Sequence, residues 1–169
     1  MRSKLQNEEV LAHIRQNFKE DILFDEQPFG LLTIEVNHEK INEIIHWLKD
    51  HTLFQFSFLT LLGAIHYPNN KGKELGVNYH LHSLINNCRI RIRTYFSIEK
   101  PEIQTITDIF PCANWLERET YDFYGIKFLG HPNLTRILND ESMDYFPMRK
   151  EYHLEDATRE DKDDRFFGR

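Results

Sequence analysis

The chain has 169 residues, 40% of them hydrophobic, and a formal net charge of −6 at pH 7. That length suits one domain with a real core and room for a tail, and the charge has the wrong sign for a protein held on nucleic acid by phosphate contacts. No run approaches the roughly 18–20 apolar residues of a membrane span, and the opening MRSKLQNEEVLAHIRQNF has no apolar h-region or small-residue cleavage site, so no secretory leader is expected. The two cysteines, Cys88 and Cys112, argue for a reducing compartment. They are too few for a self-contained iron–sulfur cluster, which takes about four protein ligands.

Glu8 to Phe18 carries Leu11, Ile14 and Phe18 at helical spacing behind Asn7 as a candidate cap. Ile22–Phe24 and Leu31–Val36 read as strands around a Gln27-Pro28-Phe29-Gly30 turn. Asn37 is placed to cap a second helix, His38 to Asp50, with Ile41, Ile44, Ile45 and Leu48 on one face. An apolar run from Leu53 to Tyr67 ends in the turn-rich connector PNNKGKELG.

Val77, Tyr79 and Leu81 then alternate with Asn78, His80 and His82, and Ile90 and Ile92 alternate with Arg89, Arg91 and Arg93. A two-residue turn at Asn86-Asn87 predicts a hairpin with Leu81 facing Ile92, His80 facing Arg93 and His82 facing Arg91. Helical periodicity returns from Thr105 through Trp115 to Tyr124, and beyond Gly125 no period survives. The order predicts an α+β fold: a mixed or antiparallel sheet with helices on one face, occupying residues 1–128. Residues 129–169 read as an extended C-terminal segment that docks on a partner, with Phe166-Phe167 as a candidate anchor.

Asn114 to Leu138, NWLERETYDFYGIKFLGHPNLTRIL, gathers the chemistry-bearing residues. Gly125 and Gly130 have the frame of a phosphate-binding loop, but His131-Pro132 stand where Lys and Ser or Thr are needed, and the helix precedes the glycines. His80-x-His82 would start a metal site, yet arginines face it across the hairpin. Glu117, Glu119, Asp122 and His131 could supply an acid and a base, but no spacing selects a nucleophile or an oxyanion donor. Arg118 lies four residues before Asp122, the spacing of a helical ion pair. At about 100° per residue, Cys112, Leu116, Thr120 and Phe123 share a face, taken as the core side. Trp115 falls away from it among charges, which predicts a second face for a partner.

Trp115-x-Glu117-Arg118-Glu119-x-Tyr121-Asp122, then Gly125-Ile126-x-Phe128-x-Gly130-His131-Pro132-x-Leu134-x-Arg136-Ile137-Leu138, continues in Pro147, Arg149, Lys150 and Tyr152. This ordered motif closely resembles the signature of the C-subunit family of proton-pumping NADH:quinone oxidoreductase, respiratory complex I. The strand VNYHLHS resembles the family's upstream Val-x-Tyr-x-Leu-x-Ser, so the likeness runs from about Phe54 to Tyr152. Departures are local: Tyr124 replaces a Phe, Asn133 and Thr135 replace an Asp and an Arg, and MDYF lacks the usual Trp and Gly-His.

The resemblance implies a peripheral-arm subunit that holds no flavin, cluster or metal of its own. The FMN and clusters would lie in partner subunits, with NADH and quinone as substrates of the whole complex. The partners would be the large quinone-site subunit and the iron–sulfur subunits, on the cytoplasmic side of a bacterial inner membrane, with membrane association indirect. Trp115, Glu117, Arg118, Glu119, Asp122, His131, Arg136, Arg149 and Lys150 would form the partner interface. Gly125, Gly130, Pro132 and Pro147 would shape turns. The alternatives are the homologous subunit of a membrane-bound hydrogenase or ferredoxin-linked complex, and a standalone metal-dependent hydrolase using His131 and the carboxylates.

Overall fold

A computed structural model describes residues 5–152. The last stretch, His153 onward, and with it Phe166-Phe167, lies outside the described residues. Helix α1 (Asn7–Phe18) buries Val10, Ile14 and Phe18. Its N-cap is Gln6, because Asn7 is used elsewhere. The Asn7 amide donates to Gln27 Oε1 and to the Gly30 carbonyl, tying the helix start to the next turn. Strands β1 (Ile22–Glu26) and β2 (Leu32–Val36) pair antiparallel around that Pro28–Gly30 turn. Asn37 does cap, accepting from the Glu39 N–H, but the cap opens a single tight turn, His38–Lys40, before α2 (Ile41–Asp50) begins. The predicted face of α2, Ile41, Ile44, Ile45 and Leu48, is wholly buried.

Strands β3 (Phe58–His66), β4 (Leu75–Ser83) and β5 (Cys88–Phe96) complete a five-stranded sheet in the order β1-β2-β5-β4-β3. The β2–β5 pair is parallel and the others are antiparallel, so the sheet is mixed. Val77, Tyr79 and Leu81 of β4 and Ile90 and Ile92 of β5 point inward, into one core shared with α1, α2 and Ala113. The helices thus cover one face, as the alternation requires. Asn78, His80, Arg91 and Arg93 stand on the other face, only half-buried.

The hairpin register differs from the predicted one by two residues. Ser83 pairs with Cys88, so the loop is Leu84–Asn87, and Leu81 faces Ile90, His80 faces Arg91 and His82 faces Arg89. A shift of two keeps every side chain on its face, so the apolar pattern alone could not choose between the registers. Asn86 donates its amide to the Leu53 and Phe54 carbonyls, which ties the loop to the chain before β3 with Ile85 and Asn86, not Asn86 and Asn87, at its centre. Asn87 supplies the positive φ, 48°.

Thr105–Cys112 is not helical. Short β6 (Glu102–Gln104) comes first and turns follow, and helix α3 spans Ala113–Tyr124. After Gly125, β7 (Lys127–Leu129) pairs parallel with β6, a two-stranded piece too short to leave a sequence period. This strand takes in both Phe128 and Leu129, on either side of the expected segment boundary.

Candidate functional site

Helix α3 ends because Gly125 adopts φ +75°, and its N–H closes on the Tyr121 carbonyl at 2.8 Å. A side chain there would also meet a ring, since an added Cβ would clash with Phe146. Phe146 itself lies between two guanidiniums, Arg136 at 5.0 Å and Arg149 at 4.7 Å from its centroid. Residues after β7 therefore run back along α3 and fasten to it.

The fastening centres on Asp122, which is fully buried. Its Oδ1 accepts from Arg136 Nη1 and the Asn139 amide, and its Oδ2 from the successive N–H groups of Ile137, Leu138 and Asn139, all at 2.8–3.1 Å. Burial opposes the charge, but these hydrogen bonds outweigh it and hold the carboxyl well below its ordinary range. Arg136 is saturated in turn, donating also to the carbonyls of Asp122, Met143 and Tyr145. Arg149 donates to the Tyr124 carbonyl, and the Lys150 N–H donates to His66 Nδ1.

The predicted Arg118–Asp122 helical pair does not form. Asp122 has its acceptors filled, and Arg118 reaches to the Thr135 carbonyl and hydroxyl and the Arg136 carbonyl while lying 5.0 Å over the Trp115 ring. Gly130, with φ +85°, and Pro132 make the turn at the start of this returning segment, and Pro147 follows the sandwiched Phe146. His131 accepts the Asn133 N–H at Nδ1, so Nε2 carries the proton and donates to the Asn114 carbonyl. Burial lowers its pKa, in keeping with a neutral ring. With both nitrogens engaged, His131 is a brace for the turn, not a free base.

The core face of α3 matches the expected one in part. Thr120 is buried and Leu116 packs against the core, but Cys112 is exposed and Phe123 only half-buried, and Ala113 and Glu117 are the other buried positions on that side. Asp122 lies about 180° around the helix from Ala113 and is buried by the returning segment instead. The inward carboxylate, Glu117, accepts from the Thr105 hydroxyl at 2.5 Å and the Ile106 N–H at 2.8 Å, with no ion-pair partner among the described residues. Desolvation is the main cause that pushes its pKa up to about 7, against those two bonds. It clamps the 105–107 turn, a role that a periodicity assuming apolar core residues could not reveal.

Glu117 and Asp122 therefore present no surface to a partner, and the Arg136 side chain is 7% exposed. Outward stand Trp115, 63% exposed, with Glu119 half-buried on the next turn of its face, and Leu138 and Lys150 on the returning segment. Among the described residues no group of three or more His, Cys, Asp or Glu is gathered as for a metal ion. His80 Nε2 takes the Arg91 Nε–H at 3.0 Å, which uses the lone pair that a metal would need. What the arrangement can do is hold a rigid, charged and aromatic surface.

A family model described as "Respiratory-chain NADH dehydrogenase, 30 Kd subunit" matches residues 34–158. The NADH-quinone oxidoreductase C subunit of Streptomyces coelicolor is 38% identical over 125 residues, 74% of this chain and 50% of that protein. The second NADH-quinone oxidoreductase C subunit of Rhizobium meliloti is 41% identical over 126 residues, 74% of this chain and 68% of that protein. The chain spans about half the length of several curated relatives it matches. The solved structure "Nqo5 of the trypsin-resistant fragment (1-134)" superposes with a TM-score of 0.64 at 31% identity, covering 77% of this chain and 100% of that one. A chain of the membrane-bound sulfane sulfur reductase, an archaeal respiratory membrane complex, shares the fold, with a TM-score of 0.67 at 23% identity over 87% of this chain and 85% of that one.

Proposed function

The chain belongs to the family of the respiratory-chain NADH dehydrogenase 30 Kd subunit, and from that membership we propose that it is a non-catalytic, cofactor-free peripheral-arm subunit of an NADH:quinone oxidoreductase. Its part in electron transfer from NADH to quinone, coupled to proton translocation, is positional. It holds the large quinone-site subunit and the iron–sulfur subunits in register, and those partners carry the FMN and the clusters. In this reading the chain lies on the cytoplasmic side of a bacterial inner membrane. This chain's membrane association runs through its partners: among the described residues no helix is long and apolar enough to cross a bilayer. In this reading residues 1–128 are the scaffold and 129–169 the docking segment.

The observation that carries the reading is the sorting of the motif's residues on α3. Asp122, Arg136 and Arg149 bind the returning segment to the helix, so Trp115 is displayed on a braced surface stacked with Arg118. A large aromatic held rigid beside a guanidinium is the composition of a binding hot spot. In this reading the contact surface comprises Trp115, Arg118, Glu119, His131 and Lys150, while Glu117, Asp122, Arg136 and Arg149 act on it from within. The test is to purify the tagged full chain from detergent-solubilised membranes. Recovery of flavin- and cluster-bearing subunits with NADH:quinone activity is expected. Recovery of the chain alone, or in a complex that does not oxidise NADH, would overturn the reading.

A further inference from the structure

The sheet face turned away from the helices carries a second candidate surface. Tyr95 lies flat across Gly76, where an added Cβ would come 2.6 Å from the ring, and Tyr67 meets Tyr95 edge-on at 6.0 Å between centroids. Next to them Gly63 opens the floor, since a Cβ added there would meet nothing within 4 Å. Leu61, 46% exposed, forms the far wall. The result is a groove of about 420 Å³, bordered by Leu61, Tyr67, Tyr95, His80, Arg91 and Arg93.

Its charge is unbalanced in one direction. Arg93 is neutralised, with Nη1 2.8 Å from Glu26 and Nε 3.8 Å from Glu35, and Lys73 also holds Glu35 at 2.7 Å. Arg91 has only the neutral acceptor His80, and neither Arg91 nor exposed Arg89 has a carboxylate within ion-pair distance among the described residues. On a chain of net charge −6, two adjacent uncompensated guanidiniums are a local exception. They sit at alternate positions of β5, roughly 6–7 Å apart along the strand, which is the spacing of same-side residues in any extended peptide.

We infer that this groove docks an extended acidic segment of a partner subunit. Asp or Glu at alternate positions pair with Arg91 and Arg89, and an apolar side chain enters over Gly63 between Leu61 and the two tyrosines. Arginine suits the carboxylates because its planar fork binds them bidentately. The inference rests on the subunit reading only in taking the partner from the same complex. It concerns the sheet face turned away from the helices, which meets the first surface only where Lys150 lies 5.7 Å over the Tyr67 ring.

The test replaces Leu61 with the photo-cross-linker p-benzoylphenylalanine in the tagged full chain, irradiates the purified assembly and maps the attachment site. The expected result is attachment to a segment of another subunit with Asp or Glu at alternate positions. Its yield should fall at least about tenfold in Arg91→Glu. Gly63→Leu, which fills the groove without touching the core, should lower the yield equally while leaving the melting temperature unchanged. Attachment to residues 153–169 of this chain, to a second copy or to a segment without carboxylates would overturn the inference, as would absence of an adduct. If other subunits co-purify and Leu61 attaches to none, this inference falls alone. If none co-purifies, the subunit reading falls with it.

Discussion

Glu117 and Asp122 are both fully buried on the same helix, yet their surroundings drive them in opposite directions. Among the described residues Glu117 meets two donors and no cation, so desolvation wins and its pKa rises from 4.5 to about 7. The favourable neutral form is then fully present below about pH 4.5 and is lost as pH rises through about 7, so stability should fall across that window. At about 1.4 kcal/mol per unit the loss is bounded near 3 kcal/mol. Glu117→Gln keeps an acceptor for the Ile106 N–H and has nothing to ionise. Urea melts at pH 5 and pH 8 should show the native midpoint falling relative to that of the variant, whose own profile carries the opposite trend of His51, His80 and His131, held below their ordinary range by burial. Asp122 is the reverse case. Its depressed pKa makes its contribution present above the ordinary 3.8, and it is lost only as pH falls through the lower folded value. Asp122→Ala strands Arg136 and three backbone N–H groups, a cost of about 3–5 kcal/mol. Trypsin should then cut at Arg136, whose side chain is 7% exposed in the native fold. An uncut Arg136 would show that the segment is held by other contacts.

At the scale of elements, α3 and the segment returning over it are joined through Gly125. Gly125→Ala should lower the melting temperature by the cost of about 1–2 kcal/mol for a left-handed non-glycine residue, plus displacement of Phe146 from between Arg136 and Arg149. Gly63→Ala, on an open sheet face, serves as the control that should not. These elements also show what was legible in advance. Apolar periodicity located α2 and the faces of β4 and β5, because those residues meet the core in the way the pattern assumes. On α3 it placed Thr120 and Leu116 on the core side but missed the buried Glu117 beside them and Asp122, which the returning segment buries on the opposite side. A polar residue whose acceptors are filled from distant turns looks outward to any hydrophobic count. The hairpin slipped by two for a related reason: Asn86 spends its amide on Leu53 and Phe54, 33 and 32 residues away. Long-range hydrogen bonds, not local preference, decided each of these points.

At the scale of the whole molecule, the motif's charges divide between holding the chain together and meeting something else, and the two roles should separate under mutation. Trp115→Ala removes a 63% exposed ring and one contact with Arg118, so its effect on folding should stay within about 1 kcal/mol. As an interface anchor its loss should cost about 2 kcal/mol or more in binding, roughly thirtyfold in affinity. Arg136→Ala leaves the buried Asp122 carboxylate without its cation, so it should lower the melting temperature of the isolated chain before any partner is present. Native-gel recovery of the assembly, measured beside thermal melts of the purified chain, distinguishes them. Trp115→Ala should melt like the native protein and assemble poorly, while Arg136→Ala should melt early. If Trp115→Ala assembles at the native level, the outward face of α3 is not where partners dock, and the aromatic among its charges must be explained within the chain itself.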